Sequence, residues 1–194
     1  MRTSVRTLLR YGLAVVAGIA VGLGSAWWAL GRVPAGERYG AWQSDPLIGS
    51  RAADLYTRAR IARHGLLALN RDEALYLVAT QDDAGRPLSP ACDYTIAGRP
   101  LPAPWWSLTL YADDEFLPRN GEQAYAIDAA HVVHEADGRW QARLAAERGK
   151  AVNWLASAGT GRPSLVLRLY RPAAAPGVAT LPTITRDACR GASP

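Results

Sequence analysis

The first 36 residues contain no acidic side chain, and residues 11–30 contain no charged side chain of either sign. A helix on the surface of a soluble protein has a charged or polar face, so this absence excludes that kind of helix here. Twenty helical residues extend about 30 Å, the thickness of a bilayer's hydrocarbon core. We therefore predict a transmembrane helix over residues 11–31, behind a basic flank, residues 1–10, that carries Arg2, Arg6 and Arg10.

The basic flank predicts the orientation of that helix. Basic residues favour the cytoplasmic side, so we expect a single-pass protein of the inner membrane with its C-terminal domain in the periplasm. Trp27 and Trp28 suit the headgroup layer at the far end of the span. A cleaved signal peptide is the alternative, because small residues at 24–26 offer a cleavage site. The apolar run is longer than the 7–15 residues typical of a signal core, which favours an uncleaved anchor.

Charge and spacing limit the partners. From residue 33 onward, 18 basic and 17 acidic side chains leave a net charge of +1, so we expect no binding of nucleic acid. The expected partners are the membrane, through residues 11–31, and a second copy of the chain or another envelope protein. Gly18 and Gly22 have the spacing that lets two membrane helices pack closely, although glycine is common in such helices anyway.

Cysteine is scarce, with two residues in the chain, Cys92 and Cys189. Two cysteines without neighbouring histidines do not make a zinc site. Both cysteines fall on the expected oxidising side of the membrane, where an even number usually pairs. We predict a disulfide between them; two unpaired thiols are the alternative.

The pattern downstream of the helix predicts a mainly β protein. Residues 32–49 are rich in glycine and proline and are predicted to be a tether, followed by one domain over residues 50–190. An amphipathic helix is expected over residues 51–67, capped by Ser50 and packed on the domain through an apolar stripe of Leu55, Ala59, Ala62, Leu66 and Leu69. Short strands are expected at residues 74–80, 93–97, 105–111, 125–128, 131–135, 140–145, 164–171 and 183–186, separated by Gly, Pro and Asp turns. This succession predicts an antiparallel β-sandwich.

Five sequence segments occur in a familiar order: DAGRPL at 83–88, WWSLTLY at 105–111, FLPRN at 116–120, NWL at 153–155 and LRLYRP at 167–172. Together they resemble the domain of unknown function family numbered 1214, in the C-terminal type of its β-sandwich. The resemblance implies a jelly-roll-like sandwich and carries no established activity. The chain departs from the family pattern at residues 156–159 and 179–182, so its C-terminal edge is expected to differ.

Catalytic motifs are absent as well. The domain has no nucleophile elbow, no phosphate loop and no Cys-x-x-Cys pair, and no cofactor is expected. Asp113, Asp114 and Glu115 have the oxygen ligands that Ca²⁺ prefers but not the spacing of a calcium loop, so a solvated turn is favoured. His131 and His134 are three residues apart on a predicted strand and would point to opposite faces, which argues against a shared metal ion.

Aromatic residues give the candidate binding surface. Alternation along residues 105–111 places Trp105, Ser107, Thr109 and Tyr111 on one face, which is either a platform for sugars or apolar ligands or part of the core. Asn153 and Trp154 complete the list of binding candidates. The leading hypothesis is a non-catalytic binding or assembly module of the cell envelope. The alternatives are an envelope hydrolase that uses carboxylate and histidine residues, and a purely structural partner subunit.

Overall fold

The computed structural model describes residues 2–31, 36–45, 47–63, 69–173 and 177–191. The described chain contains two α-helices, ten β-strands and one 3₁₀ turn. The helices are α1 (Arg2–Gly31) and α2 (Leu55–Arg63), and the turn spans Val178–Thr180. The strands are β1 (Glu37–Tyr39), β2 (Trp42–Ser44), β3 (Ala74–Ala79), β4 (Cys92–Gly98), β5 (Trp105–Tyr111), β6 (Ala126–Asp128), β7 (Trp140–Ala145), β8 (Trp154–Ala156), β9 (Ser164–Tyr170) and β10 (Thr183–Cys189).

The strands form two sheets. The larger has the order β1-β2-β3-β9-β5-β6, and the smaller has the order β10-β4-β7-β8. Leucines at alternate positions of β9, Leu165, Leu167 and Leu169, are fully buried, as period-two alternation requires of a strand with one face in the core. From the smaller sheet, Trp140 stacks on Trp106 of the larger one with ring centroids 5.0 Å apart. The predicted mainly β, sandwich-like architecture is confirmed.

One strand pairing departs from the antiparallel prediction. β8 runs parallel to β7, with Arg143 opposite Trp154 and Ala145 opposite Ala156. The other strand pairs in the described chain are antiparallel. β8 has only three residues and returns through the loop at residues 146–153, a length at which hydrophobic alternation carries no signal.

The predicted tether is wrong for residues 37–44, which form the β1-β2 hairpin. Gly40, at a φ of 64°, makes the turn, and Gln43 of β2 pairs with Val78 of β3. Trp42 is 1 % exposed, and its indole Nε1 donates to the Pro182 carbonyl oxygen at 2.7 Å. The sandwich therefore begins before residue 50. Two three-residue strands are too short to produce a periodic pattern. The large apolar side chain of Trp42 was the sequence feature that could have indicated a strand in this segment.

The helix α2 also differs from its prediction. It begins at Leu55, and Asp54, not Ser50, caps it by accepting from the Thr57 backbone N–H at 2.9 Å. Thr57 is buried, whereas Leu55 is 81 % exposed, so the predicted apolar stripe points away from the core. Residues 64–68, the predicted end of this helix, lie outside the described residues.

Strands β4 and β10 carry the two cysteines. Their register places Cys92 directly opposite Cys189, and the structure joins them in a disulfide. β10 is longer than predicted and extends to Cys189 as an edge strand of the smaller sheet. The bridge closes a separation of 97 residues and ties this edge strand to its neighbour.

The N-terminal helix is long and apolar. Its segment from Val5 to Trp28 has the length and composition of a membrane span or a signal sequence, and none of it is buried against the rest of the protein. Ala26, near its C-terminal end, is half-buried, and α1 and α2 lie against each other.

Candidate functional site

The predicted aromatic surface, formed by Trp105, Ser107, Thr109 and Tyr111, lies on the outward face of the six-stranded sheet. Most of it is covered by neighbouring side chains. Trp105 is 39 % exposed and packs edge-on against Tyr170, with ring centroids 4.9 Å apart. Ser107 and Tyr111 are half-buried, and Thr109 is buried. The alternation of β5 was therefore predicted correctly, but only its Trp105 end has the exposure that a stacking platform needs.

Arg168 of β9 fills the centre of this face. It sits opposite Ser107 in the register, and its guanidinium donates to Thr109 Oγ1 at 3.2 Å and to Tyr111 Oη at 2.7 Å. The same group lies 5.7 Å from the Tyr111 ring centroid and 5.9 Å from that of Tyr76, within the range of cation–π attraction. Sequence reasoning missed this arginine, although its place between the inward-facing leucines of β9 puts it on the outward face.

Asn153 joins β7 of the smaller sheet to the irregular segment around Val133. Its Oδ1 accepts from the Val133 N–H at 2.9 Å, and its Nδ2 donates to the carbonyl oxygens of Val133 and Gln141 at 2.9 and 2.8 Å. Trp154 Nε1 donates to the Ala145 carbonyl oxygen at 3.1 Å. The polar groups of both binding candidates are therefore used in hydrogen bonds within the protein. Those of Asn153 hold the segment around Val133 beside β7.

The segment around Val133 borders a cavity of about 540 Å³ on the outward face of the four-stranded sheet. β4, β7 and β10 form its floor, and the segment around His134 and the loop before β8 form its walls. The polar or charged side chains around it are those of Asp93, Thr95, His134, Glu135, Gln141, Arg143, Asn153 and Asp187, and the apolar lining includes Val133 and Val152. Of the predicted binding residues, Asn153 lines this cavity; Trp105, Ser107, Thr109 and Tyr111 belong to the other sheet.

Ion pairs and hydrogen bonds engage the carboxylates of this cavity. Asp93 accepts from Arg143 Nη2 at 2.7 Å and from Arg190 Nη1 at 3.4 Å. Thr95 Oγ1 donates to Asp187 Oδ2 at 2.8 Å, and Glu135 lies 3.8 Å from Arg139. The lining thus carries three carboxylates and one guanidinium, with Arg139 and Arg190 pairing from outside it, and its donors and acceptors suit a polar ligand with several hydroxyl or amide groups.

His131 and His134, the two histidines considered as metal ligands, lie in different surroundings. Residues 131–135 are a turn and an irregular segment, so the predicted strand there is wrong. His131 is highly exposed, and its Nδ1 lies 2.9 Å from Asp128 Oδ1. Burial raises the pKa of Asp128, but the hydrogen bonds from His131 and Ala130 outweigh it and hold that pKa below its ordinary value. His134 lines the cavity instead.

Metal ligands do not converge in the described part of the chain, where no group of three His, Cys, Asp or Glu side chains is placed to hold an ion. At the acidic cluster, Asp114 Oδ1 accepts from the Phe116 N–H at 3.0 Å, and Glu115 adopts a φ of 65°. The Ala112 N–H donates to the Phe116 carbonyl oxygen. These contacts describe the tight turn after β5 that the sequence favoured.

One of two similar solved structures supports this fold. The solved VPA0106 protein from Vibrio parahaemolyticus superposes with a TM-score of 0.57 at 21 % identity, covering 71 % of this chain and 36 % of that one. An uncharacterised protein from Burkholderia cenocepacia gives a TM-score of 0.46 at 18 % identity over 59 % of this chain and 29 % of that one. The chain thus spans about a third of the length of these proteins. Proteins of curated function give no match.

The family comparison covers the central strands. The model of the DUF1214 proteins of unknown function matches residues 73–174, which run from the residue before β3 to the segment after β9 and make up more than half of the chain. The resemblance carried by the five segments is confirmed: the chain belongs to the DUF1214 family of proteins of unknown function.

Proposed function

We propose that this chain is a single-pass protein of the inner membrane that displays its sandwich in the periplasm, where the sandwich serves as a non-catalytic binding or assembly module of the cell envelope. The observation that carries the proposal is α1: 24 residues, Val5–Trp28, with membrane-span composition and none of it buried against the sandwich. In water, such a surface would expose an apolar area far larger than monomeric soluble proteins tolerate.

Two further features support the periplasmic side. Arg2, Arg6 and Arg10 precede the apolar span, and basic residues are retained on the cytoplasmic side of a membrane helix. The Cys92–Cys189 disulfide suits an oxidising compartment, since such bridges are rare in the cytoplasm.

The cavity on the smaller sheet supports binding. A catalytic acid or base must be free to exchange a proton with the substrate. Asp93 is instead held by two guanidinium groups, and Asp187 accepts from Thr95. Groups fixed in this way position a ligand through hydrogen bonds.

Location is tested by protease accessibility in intact cells and in spheroplasts. The C-terminal domain should resist protease in intact cells and be digested once the outer barrier is removed. The mass of the purified protein reports whether residues 1–31 are retained. Protection of the domain in spheroplasts, or a mature chain that lacks α1, would overturn the anchored topology.

Binding is tested by thermal unfolding of the full chain in mild detergent with a panel of soluble glycan fragments and short peptides. Val152 lines the cavity and is 65 % exposed, so Val152→Trp should narrow the cavity without touching the core. Phe116→Trp is the matched control, because Phe116 is 73 % exposed and lies outside the cavity lining. A ligand of the cavity should stabilise the wild type and the control but not Val152→Trp. Stabilisation that survives Val152→Trp would place the ligand elsewhere.

Hydrolysis is the second candidate, favoured by His134 and three carboxylates around one cavity. Chromogenic ester, glycoside and phosphodiester substrates test it. If the cavity is hydrolytic, His134→Ala should abolish turnover, whereas His131→Ala should retain it because His131 is outside the cavity lining. Turnover that depends on His134 would replace the binding module with an enzyme.

A further inference from the structure

The most unusual surface outside the cavity is the outer face of α2. By helical spacing, Leu55, Ala59 and Ala62 share one side of this helix, since they are separated by four and three residues. All three are exposed, and Leu55 has 81 % of its surface free. Buried Thr57 and half-buried Ile61 lie on the opposite side of the helix. A helix that turns a threonine inward and a leucine outward is built to contact something outside the sandwich.

Charge around this stripe identifies the class of that contact. The segment 51–63 carries four arginines and one acidic residue, Asp54, a net charge of +3, whereas residues 33–194 as a whole carry +1. Arg58 is exposed, although its guanidinium also donates to the Ala53 and Arg51 carbonyl oxygens at 2.9 and 3.2 Å. Tyr56, 49 % exposed, lies at the other flank of the stripe. An apolar stripe beside arginines and a tyrosine is the composition of a helix that lies in the surface of an anionic membrane.

Position supplies the second argument. α2 lies against α1. Within residues 5–28 of α1, Ala26 alone is half-buried, which indicates that the contact is near the C-terminal end of that helix. Six Cα–Cα steps separate Gly31 at the end of α1 from Glu37 at the start of β1, so they are at most about 20 Å apart. An anchor in the bilayer therefore keeps α2 within reach of the headgroups.

We infer that α2 is a second membrane contact that lies in the headgroup layer of a bilayer containing anionic lipid. Its Leu55, Ala59 and Ala62 side chains face the acyl chains, and the net positive charge of segment 51–63 attracts the lipid phosphates. This inference rests on the proposed function, because α1 must be inserted for α2 to reach the surface. Its effect is to fix the orientation of the sandwich on the membrane, which a flexible tether would leave free.

The test uses the full chain reconstituted into vesicles, with an environment-sensitive NBD fluorophore on Leu55→Cys. The two native cysteines are joined to each other, so the added thiol is the one that reacts. Phe116→Cys is the matched control: Phe116 is similarly exposed and follows β5, three strands away from β2 in the sheet. In phosphatidylglycerol vesicles, the label at position 55 should shift to the blue and be quenched by doxyl-labelled lipids. The label at position 116 should do neither, and the shift at position 55 should decrease in phosphatidylcholine vesicles.

Each other outcome is decisive. Flotation after carbonate washing reports insertion of α1 separately, so a chain that is released refutes the anchor, and this inference with it. An inserted chain whose position 55 remains in a watery environment refutes the inference alone. A blue shift at position 55 without lipid quenching, dependent on protein density, would show that a second copy covers α2, and would also overturn it.

Discussion

Asp82 is a buried carboxylate with several hydrogen bonds and ion pairs, and its loss should be costly. It is 1 % exposed and accepts from the backbone N–H groups of Ala84 and Arg86 at 3.1 and 2.9 Å. Arg86 Nε donates to it at 3.0 Å, and Arg186 Nε lies 3.0 Å away as an ion pair without hydrogen-bond alignment. Because Arg186 belongs to β10, this carboxylate fastens the turn at residues 82–86 to an edge strand of the other sheet.

Asp82→Asn removes the charge and keeps the shape. Breaking a buried ion pair costs about 3–5 kcal/mol, and we expect the lower end, about 3 kcal/mol, because Arg86 remains half exposed to water. For a chain of this size, about 2–4 °C of midpoint is lost per kcal/mol, so the melting temperature should fall by roughly 6–12 °C. Tryptophan fluorescence of the full chain in detergent measures it. The matched control is Asp137→Asn, which breaks an exposed ion pair with Arg139 and should change little.

The pH dependence tests the same reasoning independently. Burial raises the pKa of Asp82, but hydrogen bonds from Arg86 and the charges of Arg86 and Arg186 outweigh it and lower that pKa below its ordinary value. A lowered folded-state pKa stabilises the protein above the unfolded value, about 3.9, and that contribution is lost as the pH falls through the folded value. The difference between wild type and Asp82→Asn should therefore be constant near neutrality and shrink below about pH 4. A loss below about 1 kcal/mol at neutral pH, or a difference that grows in acid, would refute the role given to this carboxylate.

Two further changes test the cross-link and the packing within the smaller sheet. Reduction of the Cys92–Cys189 disulfide opens a 97-residue separation and should destabilise the chain by about 4–5 kcal/mol in thermal unfolding; in the double alanine variant, reductant should have no further effect. Gly98→Ala would place a Cβ 2.3 Å from the buried Trp140 ring and should cost about 1–3 kcal/mol in urea unfolding, whereas Gly121→Ala, with no atom within 4 Å, should be nearly neutral; equal effects at the two glycines would contradict the packing.

The sequence was most informative where several residues repeat one pattern. β5, β7 and β9 lie within a residue of their predicted bounds, because six or seven alternating positions each contribute to the same side-chain periodicity. Strands of three residues give few positions for such a pattern: β1, β2 and β8 were missed, whereas β6 was predicted at residues 125–128.

Periodicity also does not say which side of an element is covered. Of the predicted stripe, Leu55, Ala59 and Ala62 lie on one side of α2, but that side is exposed and does not pack on the domain. Helical spacing predicts that these residues share a face but not what meets that face. The role of Arg168 was not predicted for a related reason. Its cluster with Tyr76 and Tyr111 forms because β9 pairs with both β3 and β5, and the order of strands in a sheet is not encoded in local sequence.

The two surfaces that emerge are physically independent. The cavity opens on the outward face of the smaller sheet, and the Arg168 cluster lies on the outward face of the larger one, with the core between them. Stacked sheets pack about 10 Å apart, and both surfaces lie on the outer sides of that stack, so a small ligand in the cavity does not contact Arg168. The side chain of Asn153 is hydrogen-bonded in the wall of the cavity, whereas Trp105 is 39 % exposed on the outward face of the larger sheet. A change at Val152 should therefore alter the cavity and leave the surface around Trp105 unchanged, so the ligand binding proposed for the cavity can be tested separately from the exposed Trp105.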